Sequence, residues 1–327
     1  MVQNVTWFDC DDGTKLYLRN WLPDSPGSGK PRAALQIVHG MAEHGGRYHR
    51  LAEKLTDSGI AVWAADQRGH GKTADTTVND PGKGGLLGHS ADSGVFDRVG
   101  ADMHAINQSI RKDFPGVPLF VLGHSWGSFN TQNYIEKYSG SENIIDGCIL
   151  SGTRGPDGVR IKAAVPMMNL IALLRGKRKG STLARALADG SSNRSFRPNR
   201  TAADWLSRDT AEVDKYVNDP LCGKLCSSGF YRELAAGLYR IHRPRAMARI
   251  NTTLPIYIFS GSADPVGDMG ASPTALVNEY RSLGIKDLEF VLYPGARHEA
   301  LNETNRAEVM DNLLSWINRH SGVQAQE

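Results

Sequence analysis

The stretch PLFVLGHSWGSFN, residues 118–130, decides the fold because an apolar run ends there at a serine held between two glycines. The pentapeptide Gly123-His124-Ser125-Trp126-Gly127 has the pattern Gly-x-Ser-x-Gly. The apolar run is typical of a buried strand, and the residues after Ser125 have the spacing of a helix. A strand, a tight turn and a helix in this order predict a nucleophile elbow, in which the glycines leave room for a strained turn. We therefore expect Ser125 to be a nucleophile at the carboxyl edge of a parallel sheet.

Short apolar runs alternate with helical stretches on both sides of this elbow. Such alternation predicts βαβ units and a mostly parallel sheet flanked by helices. Strands are predicted at residues 15–22, 33–40, 60–66, 118–124, 145–152, 254–261 and 288–295, and helices at 47–59, 95–114, 126–138, 274–283 and 306–320.

Residues 153–250 do not follow this alternation. Helical spacing and polar linkers predict a mostly helical cap inserted into an α/β core that residues 1–152 and 251–327 form. Between residues 154 and 200, eleven Lys or Arg accompany two Asp, whereas the whole chain carries a net charge of +3. The insertion therefore differs from the core in charge as well as in pattern.

An apolar stretch within this insertion, VPMMNLIALL at residues 165–174, is followed at once by RGKRKG. The stretch is too short to span a bilayer, but an apolar segment bordered by Lys and Arg suits a lid that touches lipid or anionic head groups. The alternative is that the apolar part packs on the core and the basic loop is solvated.

The rest of the composition limits the compartment and the cofactors. The N-terminal residues lack a basic start followed by an apolar run, so we expect a cytoplasmic protein that can still lie at a membrane surface. We expect Cys10, Cys148, Cys222 and Cys226 to be reduced thiols, because no second Cys or His pair completes a zinc site. No metal, cofactor or nucleic-acid partner is expected, and the sequence leaves the oligomeric state open.

A serine nucleophile needs a histidine base and a carboxylate that orients it. In chain order after Ser125, Asp264 follows the predicted strand that ends in FSG, and His298 follows the strand that ends in VLYPG. Both lie at carboxyl ends of strands, the edge where Ser125 is expected. The order and the shared edge predict a Ser125–Asp264–His298 triad, although Asp-Pro turns and loop histidines are also common without function.

The oxyanion of such a reaction needs two N–H donors. In this architecture they come from the residue after the nucleophile and from the loop after the third strand. These positions are Trp126 and, in HGMAEHGGRY, Met41.

Five segments together carry a family resemblance: HGMAEHGGRY, DQRGHGKT, GHSWGS, GSADPVG and YPGARHEALNE. They resemble monoacylglycerol lipases and related lysophospholipases, which belong to the serine-aminopeptidase-like α/β-hydrolases. The resemblance implies the α/β-hydrolase fold, the triad and the two oxyanion donors given above. We interpret Glu43, His44, Arg47 and residues 68–71 in these segments as structural, in a packed ion pair or a turn. Haloalkane dehalogenases and epoxide hydrolases differ, because they have Asp where this chain has Ser125.

The function expected from these observations is cofactor-free hydrolysis of a carboxylic ester of a single-chain lipid through an acyl-enzyme. A small amphiphilic ester is the expected partner, with transient contact between the cap and a membrane or lipid aggregate. A lysophospholipase, a short-chain carboxylesterase, an aminopeptidase and a non-catalytic ligand-binding homologue remain alternatives.

Overall fold

An eight-stranded sheet forms the centre of the computed structural model, which describes residues 1–24, 30–142, 144–188, 190 and 192–322. The strand order is β1-β2-β4-β3-β5-β6-β7-β8. Only the pairs β1–β2 and β2–β4 are antiparallel. The strands are β1 (Val2–Asp9), β2 (Lys15–Leu22), β3 (Ala33–Val38), β4 (Ile60–Ala65), β5 (Leu119–His124), β6 (Gly147–Ser151), β7 (Ile256–Gly261) and β8 (Leu288–Tyr293).

Burial explains which strands the sequence predicts well. Strands β3, β4, β5, β6 and β7 are buried at every residue, as a parallel sheet covered on both faces requires, so they appear as continuous apolar runs. Strand β1 is exposed at seven of its eight residues and pairs only with β2. This edge strand was not predicted, because its mixed polar and apolar residues lack a regular alternation.

Helices cover both faces of the sheet. On one face α2, α3 and α9 contribute to a shared apolar core, and on the other face α1 and α10 form a second core. The predicted α/β-hydrolase fold is confirmed. The helices are α1 (His49–Asp57), α2 (Val95–Asp113), α3 (Trp126–Tyr138), α4 (Gly158–Arg175), α5 (Thr182–Ala188), α6 (Thr210–Asn218), α7 (Ser228–Ile241), α8 (Pro244–Met247), α9 (Ala271–Ser282) and α10 (Arg306–His320). Short 3-10 turns lie at Gly45–Tyr48, Pro81–Lys83, Arg194–Phe196, Asp204–Leu206 and Ala300–Asn302.

The chain between β6 and β7, which we call the insertion, holds α4 to α8. Helix α7 packs against α4 and against α2 and α3 of the core, and Phe230 and Ile241 are among its buried side chains. No helix among the described residues is long and apolar enough to cross a membrane. The cap boundaries 153–250 stay a prediction. Residues 189 and 191 of that range, and residues 25–29, 143 and 323–327 of the predicted core, lie outside the described residues.

Candidate active site

Ser125 lies in a strained turn between β5 and α3, with φ 53° and ψ −120°. A non-glycine residue at such a φ costs roughly 1–3 kcal/mol, so this conformation persists only where the surrounding structure imposes it. Those surroundings leave no space for side chains at the flanking glycines. A Cβ on Gly123 would lie 2.3 Å from Thr131 Oγ1, and one on Gly127 would lie 2.0 Å from the carbonyl oxygen of Val38. The glycines of the motif therefore let β5, α3 and β3 approach closely enough to form the turn.

His298 and Asp264 form a buried hydrogen-bonded pair at the same edge of the sheet. Asp264 follows β7 and His298 follows β8. The Nδ1 atom of His298 lies 2.9 Å from Oδ2 and 3.0 Å from Oδ1 of Asp264. The backbone N–H of Val266 donates to Asp264 Oδ1 at 2.9 Å, which holds the carboxylate in place. The Nε2 atom of His298 is left for a reacting group.

Each member of this pair stabilises the charged form of the other. Burial by itself lowers the pKa of His298, but the negative charge of Asp264 and its hydrogen bond outweigh burial, so the pKa is raised above its ordinary value. Burial by itself raises the pKa of Asp264, but the positive charge of His298 and its hydrogen bond leave that pKa lowered. The neighbouring His124, whose ring lies 4.9 Å from that of His298, has its pKa lowered by burial to about 4. Asp264 is therefore an anion and His124 is neutral near pH 7.

Ser125 and His298 line one cavity of about 610 Å³. Among the described residues, Ser125 Oγ and His298 make no direct hydrogen bond, whereas His298 and Asp264 do. In ligand-free enzymes the bond from nucleophile to base is often long and tightens only when substrate binds. The arrangement therefore brings all three predicted triad residues to one edge, with the serine–histidine contact left to form.

The two predicted oxyanion donors come from the start of α3 and from the loop after β3. Trp126 is the first residue of α3, so its N–H has no acceptor within the helix. Met41 lines the cavity. Gly40, which precedes Met41, lies so close to Ser125 that an added Cβ would be 3.2 Å from the serine Cβ. The loop after β3 thus runs directly beside Ser125.

A buried network of charged side chains contacts the loop after β3. The guanidinium of Arg47 donates to Glu43 Oε2 at 2.6 Å and to both oxygens of Glu299 at 2.6 and 2.8 Å. Glu43 also accepts from the N–H of Gly40 and, at 3.0 Å, from the hydroxyl of Tyr48. Glu43 and Glu299 both line the cavity. Sequence reasoning missed Glu299, although its position directly after His298 could have indicated it.

The insertion supplies the other wall of the cavity. The ring of Trp205 lies 5.0 Å from that of His298, and the backbone N–H of Glu299 donates to the carbonyl of Leu206 at 2.8 Å. The insertion therefore contacts the candidate base directly. Its cavity-lining residues are Arg185, Gly190, Asn193, Ala202, Ala203, Trp205, Leu206, Tyr216, Val217, Cys222, Gly223, Lys224, Cys226 and Tyr231.

One group at this site has metal-ligating atoms close together: His44, Asp219 and Cys222. The backbone N–H of Gly46 donates to His44 Nδ1, so a neutral His44 carries its proton on Nε2 and donates it to Asp219 at 2.9 Å. A metal on Nε2 would have to displace both the proton and the Gly46 contact. Metal-binding histidines normally donate from their other nitrogen, so this group suits a hydrogen bond better than a metal.

Comparison with known proteins identifies the family. Residues 29–305 match the model of the serine aminopeptidase S33 family. The chain belongs to the S33 family of α/β-hydrolases. This hydrolase is 31% identical to the monoacylglycerol lipase of Mycolicibacterium smegmatis, over 94% of each chain. It is 30% identical to the monoglyceride lipase of Mus musculus, over 96% of this chain and 92% of the relative.

A solved structure extends the comparison to three dimensions. The thermostable carboxyl esterase of Bacillus coagulans, in complex with glycerol, superposes with a TM-score of 0.85 at 27% identity, over 98% of this chain and 99% of the esterase. The predicted membership of the monoacylglycerol lipase-like hydrolases is confirmed.

Proposed function

We propose that this hydrolase cleaves the carboxylic ester of a monoacylglycerol or a similar single-chain lipid through an acyl-enzyme on Ser125. One observation carries the proposal: Ser125, in a strained turn, shares a cavity with a buried His298–Asp264 pair. The full-length similarity to monoacylglycerol lipases supports the substrate class.

In the proposed mechanism, Ser125 Oγ attacks the ester carbonyl carbon while His298 Nε2 accepts the hydroxyl proton. The N–H groups of Met41 and Trp126 bind the oxyanion of the tetrahedral intermediate. His298 then gives the proton to the leaving glycerol oxygen, and the acyl group stays on Ser125. His298 next takes a proton from water, whose oxygen attacks the acyl carbon, and returns it to Ser125 as the fatty acid leaves. Asp264 holds the imidazole in the required tautomer and stabilises its cationic form.

A fluorophosphonate probe and a substrate panel test this proposal. We expect the probe to label the protein but not the Ser125→Ala variant, with the label on the peptide that contains residue 125. Hydrolysis rates are compared for p-nitrophenyl esters of increasing acyl length, a monoacylglycerol and an aminoacyl amide. Unchanged activity in Ser125→Ala would exclude the mechanism. Preference for the amide, or for the shortest esters, would replace the lipase assignment by aminopeptidase or carboxylesterase.

A lysophospholipase is the second candidate, and two cations favour it. Arg185 and Lys224 line the cavity. Their charges suit a phosphate-bearing head group. We expect the double change Arg185→Gln and Lys224→Gln to lower kcat/KM for a lysophospholipid at least fivefold more than for a monoacylglycerol. Equal effects on both lipids would remove this candidate.

The insertion also presents a surface suited to lipid. Helix α4 exposes Val159, Leu170, Leu173 and Leu174 at 80%, 55%, 79% and 75% of their surfaces. Met168, Ile171 and Ala172 are the buried residues of the same helix, so the apolar stretch packs only in part. Lipid contact through α4 would bury the exposed leucines, because an apolar helix face bordered by cations is favourable at an interface.

Liposome binding tests this contact. The charge change Leu173→Glu with Leu174→Glu is expected to abolish binding to anionic vesicles and to leave hydrolysis of a monomeric ester unchanged. The double change Lys177→Glu with Lys179→Glu measures the electrostatic contribution to vesicle binding separately from the apolar one. Arg178 is left intact because it forms an ion pair with Asp92 of the core. Vesicle binding that neither pair of changes affects would exclude a role for α4.

A further inference from the structure

Ala42, the residue after the proposed oxyanion donor Met41, has a left-handed backbone with φ 55°. An L-residue with a side chain adopts this conformation only when its surroundings impose it, because its Cβ crowds the backbone. The other non-glycine residues with positive φ in the described chain are Ser125, Asp268 and Met269. The loop is therefore strained at a position that adjoins the reacting centre.

The insertion supplies the contacts that hold Ala42 in this conformation. The carbonyl oxygen of Ala42 accepts from the hydroxyl of Tyr216 at 3.2 Å and from the backbone N–H of Gly223 at 2.9 Å. Tyr216 belongs to α6, and Gly223 lies in the connection between α6 and α7. Two donors from a segment more than 170 residues away thus bind the carbonyl oxygen of this strained residue.

A third contact joins the same two segments. His44 Nε2 donates to Asp219 Oδ2 at 2.9 Å, and the Gly46 N–H that reaches Nδ1 fixes the tautomer. The other oxygen of Asp219 accepts from the N–H of Leu221 at 2.8 Å, so the carboxylate is itself oriented. The loop is tied to the insertion on both sides of Glu43.

The core fixes the other end of the loop. Glu43 accepts from the N–H of Gly40, and Arg47, which binds Glu43, lies 4.9 Å from the centre of the Tyr216 ring. Met41 lies between the end that the core holds, at Gly40, and the end that the insertion holds, at Ala42. The Met41 N–H therefore lies between two residues whose backbone atoms are held by hydrogen bonds.

We propose that Tyr216, Asp219 and Gly223 form a clamp in the insertion that positions the oxyanion loop, so that the Met41 N–H is aligned only when the insertion is seated on the core. This inference rests on the proposed function, since it assumes that Met41 is an oxyanion donor. The clamp residues act as positioning residues for the reaction. The clamp couples closure of the insertion over substrate to completion of the catalytic site.

The first test removes one hydrogen bond of the clamp and keeps its shape. Tyr216→Phe retains the ring beside Arg47 but cannot donate to Ala42. With p-nitrophenyl acetate, whose small acyl group limits contact with the insertion, we expect kcat to fall about tenfold while KM stays within about twofold, because an oxyanion contact acts mainly in the transition state. Asp219→Asn, which weakens the contact with His44, is expected to act in the same direction.

A rescue variant separates positioning from general damage. Glycine adopts a left-handed backbone without steric cost, so Ala42→Gly relieves the loop of its dependence on the clamp. Ala42→Gly alone is expected to stay within about threefold of the parent, and adding Tyr216→Phe to it is expected to cost less than about threefold. Asp214→Asn is the matched control, because Asp214 lies on α6 but pairs with Arg200 at the exposed surface. It should leave kcat unchanged.

The possible outcomes are distinct. A change confined to KM in Tyr216→Phe would show that the hydroxyl binds substrate, and the clamp would be excluded. A full tenfold loss in the Ala42→Gly background would exclude it as well. Failure of the proposed function is separate, because it appears as Ser125→Ala protein that retains activity. A variant that loses thermal stability is replaced by Asp219→Asn, on which the same two criteria are applied.

Discussion

The core and the insertion differ in how they place charged and apolar side chains. In the core, Arg68 is 1% exposed and is bound by the carboxylates of Asp12 and Asp102. In the insertion, Leu173 and Leu174 expose more than 70% of their surfaces. Burial and pairing in the core fix the candidate catalytic side chains to strand ends, whereas the insertion presents an apolar surface and one wall of the cavity. Changes in the core should therefore affect chemistry and folding, and changes in the insertion should affect binding and alignment.

The largest expected difference between the regions concerns the proposed nucleophile, Ser125. Removing the serine of a triad lowers kcat by roughly 10⁶-fold in a well-studied serine protease, and we expect a loss of at least 10⁴-fold in Ser125→Ala. Val217→Ala, which changes the cavity from the insertion side, should stay within about threefold. Steady-state hydrolysis of a p-nitrophenyl ester measures both. Comparable losses in the two variants would contradict the division between the regions.

The next largest effect should come from Asp264, the carboxylate that we propose orients the base His298. Asp264→Asn is expected to lower kcat by roughly 10⁴-fold, because an amide at this position favours the wrong imidazole tautomer. Ser260→Ala is the matched control, since its hydroxyl donates to Asp264 Oδ2 at 3.3 Å without contacting His298. We expect a loss below tenfold there. The tautomer argument fails if Ser260→Ala is as severe as Asp264→Asn.

Packing beside the elbow offers a comparison of stability. A Cβ at Gly127 would overlap the Val38 carbonyl oxygen, which is rigid backbone, whereas a Cβ at Gly180 of the insertion would meet only the flexible side chain of Leu225 at 3.0 Å. Gly127→Ala should lower the free energy of unfolding by about 3 kcal/mol or more, and Gly180→Ala by less than about 1 kcal/mol. Urea denaturation followed by circular dichroism measures both. Equal urea midpoints for the two variants would contradict this expectation, because they would show that the elbow adjusts to the added methyl group.

The smallest expected effect is the pH dependence of kcat/KM, which the His298–Asp264 pair of the core should determine. His298 accepts a proton only when neutral, and its pKa is raised above the ordinary value of 6.5 despite burial, because of Asp264 and, more weakly, Glu299 and Glu43. The value of kcat/KM should therefore rise about tenfold per pH unit below an apparent pKa above 6.5. The clamp variant Tyr216→Phe should show the same apparent pKa, with a lower value of kcat/KM at every pH. A midpoint below 6.5 in the parent enzyme would contradict the charge argument.

The sequence predicted those features that local pattern determines. Strand β2 and helices α3 and α10 have the predicted bounds, because their patterns are continuous and their ends are marked. Helix α9 begins at Ala271, three residues before its predicted start, since Pro273 is tolerated in a first helical turn. Ser125, Asp264 and His298 were predicted because each follows an apolar run that the pattern identifies as a strand. Strands β5 and β7 are buried throughout, and β8 is only partly buried.

The contacts between distant segments could not be predicted in this way. The pairing of Tyr216 with Ala42 and that of Arg178 with Asp92 depend on how the insertion sits on the core, and neither leaves a spacing signal in the chain. The positive φ of Ala42 was also hidden, because alanine gives no sign of a left-handed backbone in the way that glycine would. The site chemistry that we propose rests on residues the sequence predicts, whereas the proposed coupling of the insertion to that site rests on contacts that only the fold shows.

Trp205 lies against His298, and we expect its fluorescence to respond to the charge on that imidazole. An imidazolium quenches the emission of an indole in contact with it, and the two rings are 5.0 Å apart. The difference in fluorescence between the parent and Trp205→Phe should therefore depend on the protonation of His298 and on the distance between the two rings. Stopped-flow measurements of that difference would follow the reaction by intrinsic tryptophan fluorescence, without an added dye.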